Sequence, residues 1–216
     1  MIGEFVVFGG RGSGSVVIEA ALTLIGAPYR TRDLVTPIGG SGDDATRFNP
    51  MNQVPAMITP DGELITESAA ILLWLSERFP AAGLGLSPDD PRRGRFLRWT
   101  TFVSSSIYSL YWVRDMPSRL ATDATQEDVI RERTAERIAF CWAVMESQID
   151  PGSYLLGEGM SVLDLYVAVV SRWEPHRRRF YEIAPRMGEV VRRVDADPRL
   201  AALWAERFPF KAGWEG

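Results

Sequence analysis

Every strand signal in this chain lies before Pro80. Phe5 to Phe8 is a short apolar run ending on Gly9-Gly10, which reads as a buried strand. Val16 to Ile25 carries helix formers in a helical apolar pattern and is stopped by Gly26-Ala27-Pro28. Tyr29 to Val35 alternates as a second strand. Thr36 to Asp44 is rich in Gly, Ser and Pro and reads as a loop, with one helical turn near Ala45 to Phe48. Val54 to Ile58 is the next strand, Asp61-Gly62 a hairpin turn and Leu64-Ile65 its short partner. Thr66 to Arg78 predicts a helix with Thr66 as N-cap and an acid in its first turn. A βαβ unit followed by a ββα unit makes a small mixed sheet with helices against it.

Pro80 to Pro91 is a linker by composition. Beyond it the pattern is helical: Arg92 to Trp112, Gln126 to Ile149, Ser161 to Trp173, then two shorter helices over Arg186–Val194 and Pro198–Phe208. The expected organisation is an α/β domain over residues 1–80, a linker over 81–90 and an all-α helical bundle over 91–216.

Hydrophobic residues make up 46% and charged residues 24%, as in ordinary globular domains, and the net charge of -4 favours neither nucleic acid nor an anionic membrane as partner. The single cysteine, Cys141, forbids an intrachain disulfide and fits a reducing, cytoplasmic setting. The opening MIGEFVVFGGRGSG has no basic or long apolar region and is not expected to be a signal peptide. No apolar run approaches the ~20 residues of a membrane span. One cysteine and one histidine, His176, leave no expectation of a metal site.

Three short motifs carry chemistry. Gly9 to Ser15 (GGRGSGS) follows a strand and opens a helix, where unpaired amides stabilise an anion. It has neither GxxxxGK[ST] nor GxGxxG, so a nucleotide reading is weak, and Ser13 or Ser15 as a plain helix cap explains one serine equally well. In Gln53-Val54-Pro55, a proline heading a strand reads as a cis turn that exposes the Val54 backbone to a bound peptide, or as a trans proline on an edge strand. Thr66-Glu67-Ser68 at a helix start offers a receptor for an amino-acid zwitterion, or merely a capped helix with an acidic first turn.

Their order and spacing are more specific than any one of them. Residues 48–80, FNPMNQVPAMITPDGELITESAAILLWLSERFP, closely resemble the glutathione-binding segment of the glutathione transferase superfamily, with its NP-x-x-x-VP turn, hairpin, ESxAI helix start and terminal WL…FP. Gly26-Ala27-Pro28-Tyr29 resembles the family's usual opening. Ser161-Val162-Leu163-Asp164 is similar to its capping box, with Asp164 structural, and Ser171 to His176 is similar to a segment of bacterial beta-class members. The resemblance implies a thioredoxin-like first domain, a helical second domain and a homodimer.

It also implies roles. The γ-glutamyl end of glutathione would meet Glu67 and Ser68, and its cysteinyl backbone Val54 beside Pro55, with Gln53 adding a contact. Arg32, Arg47 and Asn49 are candidates for the glycine carboxylate. The thiol-activating position is atypical: the family's tyrosine falls on Phe8, its cysteine on Gly14 and its serine near Gly12. Ser13 is then the first catalytic candidate and Ser15 the second, with Arg11 a nearby cation and backbone amides alone as the alternative. Tyr108, Tyr111, Trp112 and Arg114 are expected to line the pocket for a small hydrophobic electrophile, with Trp173 and His176 at a later helix end. Beta-class members carry a His-Lys pair where Tyr108-Ser109 stands here, and Arg177-Arg178-Arg179 reads as a solvated face. Three functions remain: addition of glutathione to an electrophile, another glutathione-dependent reaction (isomerase, lyase, dehalogenase or peroxidase), or a non-catalytic binding or scaffold role.

Overall fold

The computed structural model describes residues 2–34, 49–173 and 176–210, with the side chain of His176 excepted. The loop expected over Thr36 to Asp44, the turn over Ala45 to Phe48 with Arg47, and the Glu174-Pro175 pair lie outside the described residues.

Four strands form one sheet in the order β2-β1-β3-β4: β1 (Phe5–Gly9), β2 (Tyr29–Asp33), β3 (Ala56–Ile58) and β4 (Leu64–Thr66). β1 pairs parallel with β2 across α1 (Ser15–Ile25), and antiparallel with β3, which pairs antiparallel with β4. This is the thioredoxin-like arrangement the motif order predicts. β1 is buried along its whole length because it is central and covered on both faces. Phe5 and Val7 join the main core, while Val6 and Phe8 pack with Ala56 in a small cluster of their own. The FVVF run is therefore apolar without alternation.

The second helix starts later than its sequence predicts. Thr66 pairs with Ala56 and stays in β4, so the chain turns at Glu67, whose φ is +67°. Helix α2 (Ser68–Arg78) begins immediately after, with no acid in its first turn. A single-turn 3-10 segment, Pro80–Ala82, leads out.

All described elements after that are helical. The expected Arg92–Trp112 helix is present as α3 (Arg93–Phe102), a π-helical segment (Val103–Tyr108) and α4 (Ser109–Arg114). The wider π turns rotate the face that follows them, and such turns cluster at functional sites. There follow α5 (Ala124–Gln148), α6 (Val162–Val170), α7 (His176–Ile183), α8 (Pro185–Asp195) and α9 (Ala201–Arg207). The sequence reading missed α7 because its arginine run masks an amphipathic helix. Arg177 is no part of a solvated face: it is fully buried, donating to Asp195 Oδ2 at 2.6 Å and to Ala168 O.

Helix α6 is apolar all round, VLDLYVAVV, and every residue in it is buried. It packs against α1, which ties the helical half to the sheet. Its one charged residue, Asp164, closes a capping box with Ser161 and also accepts from Leu155 N at 2.8 Å. Burial pushes the Asp164 carboxyl up, while its hydrogen bonds pull it down. Asp164→Ala leaves the Ser161 and Leu155 amides without their acceptor. The expected loss of stability is about 2 kcal/mol, read by urea unfolding; a loss under about 0.5 kcal/mol would contradict this role for the box.

Candidate functional site

Four elements meet around a cavity of about 690 Å³. They are the glycine turn between β1 and α1, the turn before β3, the start of α2, and the π-helical segment with α4, joined by the residues just after α4 and by Trp173 beyond α6.

The glycine turn is gripped from the helical half. Gly12, at φ +70°, adopts the left-handed backbone that glycine permits. Its N–H donates to Arg207 O at 2.8 Å, and its carbonyl accepts from Trp173 Nε1 at 2.7 Å. Ser13 lines the cavity, but its hydroxyl faces the turn. Ser13 Oγ accepts from Gly10 N at 3.1 Å and Ser15 N at 3.2 Å, and lies 3.0 Å from Ser15 Oγ. Ser15 is fully buried behind the turn and does not line the cavity. Its hydroxyl lies 3.0 Å from the Glu19 carboxylate, to which it donates, and 3.4 Å from Gly10 O. Both serines thus have hydrogen-bond partners inside the turn. Neither is a conventional helix cap, since Gly14 holds that position without a side-chain bond.

Glu19 is the surprise of α1. It is 1% exposed in an otherwise apolar helix and is held by Arg207, whose Nε lies 2.7 Å from Glu19 Oε2. Arg207 also pairs with Asp33 at the end of β2, at 2.6 Å. The Arg207 guanidinium holds the Asp33 carboxyl below its usual value. A lone acid in VVIEAALTLI was the sequence signal for a buried cation, but its partner lies 188 residues away.

The Val54–Pro55 peptide is cis, as the turn signature predicts. Gln53, Val54 and Pro55 line the cavity. Asn49 Nδ2 donates to Gln53 O at 3.0 Å and Asn49 Oδ1 accepts from Met51 N at 3.0 Å, so this amide shapes the turn from within. Arg32, the other described candidate for a ligand carboxylate, sits 6.0 Å from the Phe8 ring and does not line the cavity.

Glu67 and Ser68 line the cavity at the start of α2. The positive φ of Glu67 is a costly conformation for a residue with a Cβ, of the kind found at ligand sites. Ser68 Oγ lies 2.5 Å from Tyr166 Oη on α6. Burial pushes the Tyr166 phenol up to about 12, with Ser68 and Ser104 pulling the other way.

The opposite wall is aromatic. Ser104, Tyr108, Tyr111 and Trp112 recur at helical spacing and line the cavity with Trp173. The Trp173 ring stands edge-on to Tyr108 at 4.7 Å and to Tyr111 at 5.0 Å. Arg114 is not on this wall. It lies 3.9 Å from Asp115 and 6.0 Å from the Tyr111 ring centroid, while its neighbours Trp112 and Asp115 reach the cavity. Tyr108 is deeper than an electrophile wall requires: its hydroxyl donates to Val54 O at 3.2 Å. Phe8 faces the small cluster beneath the sheet, so its position could not serve the cavity.

Residues 15–78 match the family model described as the glutathione S-transferase N-terminal domain. An uncharacterised glutathione S-transferase-like protein of Escherichia coli, YncG, is 28% identical over 198 residues, covering 90% of this chain and 94% of that protein. A maleylacetoacetate isomerase of Pseudomonas aeruginosa is 28% identical over 160 residues, covering 73% and 74%. Among solved structures, a glutathione transferase homologue from Sulfitobacter, with bound glutathione, superposes with a TM-score of 0.82 at 24% identity, over 95% of this chain and 98% of that one. The N-terminal family match and these likenesses together support a member of the glutathione S-transferase superfamily. No described helix is long and apolar enough to cross a membrane.

Proposed function

We propose that the cavity binds glutathione and presents its thiolate to a small electrophile, with residues 1–80 as the binding domain and residues 91–216 supplying the second wall. The observation that carries this reading is convergence. Val54, Glu67 and Ser68, which are separate in sequence, line one cavity with the glycine turn. Glu67 would accept from the γ-glutamyl ammonium. Ser68 Oγ pairs with Tyr166 Oη, and with the phenol as donor the serine would keep its own proton for the ligand's carboxylate. The Val54 N–H and C=O would pair with the cysteinyl backbone as a partner strand does. Arg11 and Arg119 both line the cavity, and Arg11, on the glycine turn, is the cation that would meet the glycine carboxylate. Bound glutathione supplies a thiol that reacts as thiolate. Trp112, Tyr111 and Trp173 offer the apolar surface that a hydrophobic electrophile needs. The likeness to the isomerase supports a second reading, in which the thiolate adds to a substrate and later leaves it.

The test is a calorimetric titration with glutathione. Binding is expected for the unaltered protein, and Glu67→Gln is expected to weaken it about tenfold or more. No heat at millimolar glutathione would refute the proposal.

A further inference from the structure

Gly14 has no side chain, and the space one would take is already filled. A Cβ placed there would lie 2.0 Å from Tyr108 Oη and 2.7 Å from Tyr108 Cζ. The hydroxyl therefore rests against the residue that opens α1 and, at the same time, donates to Val54 O. Those two backbone positions bracket the place where the cysteinyl residue of the proposed ligand would lie.

We infer that Tyr108, reaching over from the helical half, is the catalytic hydrogen-bond donor that holds the bound sulfur as thiolate, and that Ser13 and Ser15 are not. The inference rests on the glutathione reading above. Its first support is the placement of the serines: Ser15 is fully buried and does not line the cavity, and Ser13 Oγ faces the turn, accepting from Gly10 N and Ser15 N. Its second support is placement. The Tyr108 ring is held edge-on by Trp173 and by Tyr166, at 4.7 and 6.3 Å, and Trp173 is itself anchored to Gly12 O. A donor fixed in this way needs no reorganisation when charge develops on the sulfur. Its third support is that Val54 O is the acceptor a bound peptide N–H would claim. Once that N–H arrives, rotation about the Cζ–Oη bond turns the phenol proton toward the sulfur.

Burial, reinforced by Tyr166, Glu67 and Asp115, pushes the Tyr108 phenol far above its ordinary value. It remains protonated at neutral pH and acts as a donor rather than a base. In the balanced step, the thiol S–H bond breaks and its proton passes to solvent water. Tyr108 keeps its own proton and stabilises the sulfur anion. The sulfur lone pair then forms the bond to the electrophilic carbon, and the displaced electron pair leaves with the leaving group or is protonated by water.

The test follows the ultraviolet absorbance of bound thiolate against pH, with affinity measured by calorimetry in the same samples. Tyr108→Phe keeps the ring and removes only the hydroxyl. It is expected to bind glutathione within a few-fold of the parent. Its bound-thiol pKa should rise by about one to two units, so that about ten- to a hundredfold less thiolate is present at a fixed pH below it. Ser13→Ala is expected to leave that pKa in place. Fluorotyrosine introduced at position 108 is a stronger donor of nearly the same shape, and should move the thiol pKa downward. An unmoved pKa in Tyr108→Phe, or an equal rise in Ser13→Ala, would overturn the assignment while the parent still binds glutathione. Failure of the parent to bind would remove the reading of the site itself.

Discussion

Arg207→Met is expected to lower the unfolding free energy by about 3–5 kcal/mol, because it strands a buried carboxylate. Glu19 is 1% exposed and takes both of its strongest contacts from this one guanidinium. The second pair, to Asp33, is half open to solvent and contributes less. For a chain of this size the loss corresponds to a fall in Tm of about 6–20 °C. Denaturant unfolding with a parallel thermal melt checks it, and a loss under about 1 kcal/mol would mean that Glu19 finds another way to be solvated. Adding Glu19→Leu to Arg207→Met should recover much of the loss, since the unpaired charge is then gone. Acid provides a smaller signature. The folded-state value of Asp33 is depressed, so its contribution is complete above its unfolded value of about 3.9 and disappears as pH falls through the lower folded one. The methionine variant should lose that part of the pH dependence. The Glu19 network also supports Ser15, and Arg207 O holds Gly12 N, so loosening at the glycine turn should accompany the loss of stability.

Gly14→Ala is the second large effect expected, about 3 kcal/mol of destabilisation. The new methyl group would overlap the Tyr108 hydroxyl and the edge of its ring, and the ring is packed against Trp173 and Tyr166 on the other side. The decisive measurement is a double-mutant cycle. In a Tyr108→Ala background the cost of Gly14→Ala should almost vanish, giving a coupling of about 2–3 kcal/mol. Additive costs would show that the tyrosine does not occupy the space at Gly14. This experiment needs no ligand, so it tests the geometry independently of any reading of the site's chemistry.

Much of the binding side was legible in the sequence because it is written in local chemistry. A proline after Val54 at the head of a strand left cis and trans open until the family resemblance pointed to cis, and Asp61-Gly62 marked the hairpin. The uninterrupted FVVF and VLDLYVAVV runs marked the two most enclosed elements. The helix start at Glu67-Ser68 was misplaced by two residues, because Thr66 looks like a cap in isolation while its ladder pairing with Ala56 keeps it extended. The surroundings of the serines were hidden for a similar reason. A sequence shows hydroxyls near a helix start, but not which acceptors they have already found.

The sequence by itself determined the order of elements, the place where strands give way to helices and the residues that converge beside the cis proline. The first two follow from periodicity and turn chemistry, and the third from the resemblance of residues 48–80 to the glutathione-binding segment. Only the tertiary structure decided that Arg207 neutralises Glu19, that Trp173 holds Gly12, and that Tyr108 fills the space at Gly14. Those contacts join residues far apart in the chain through packing between the helical half and the sheet. No local pattern encodes a partner whose position depends on how the rest of the chain has folded.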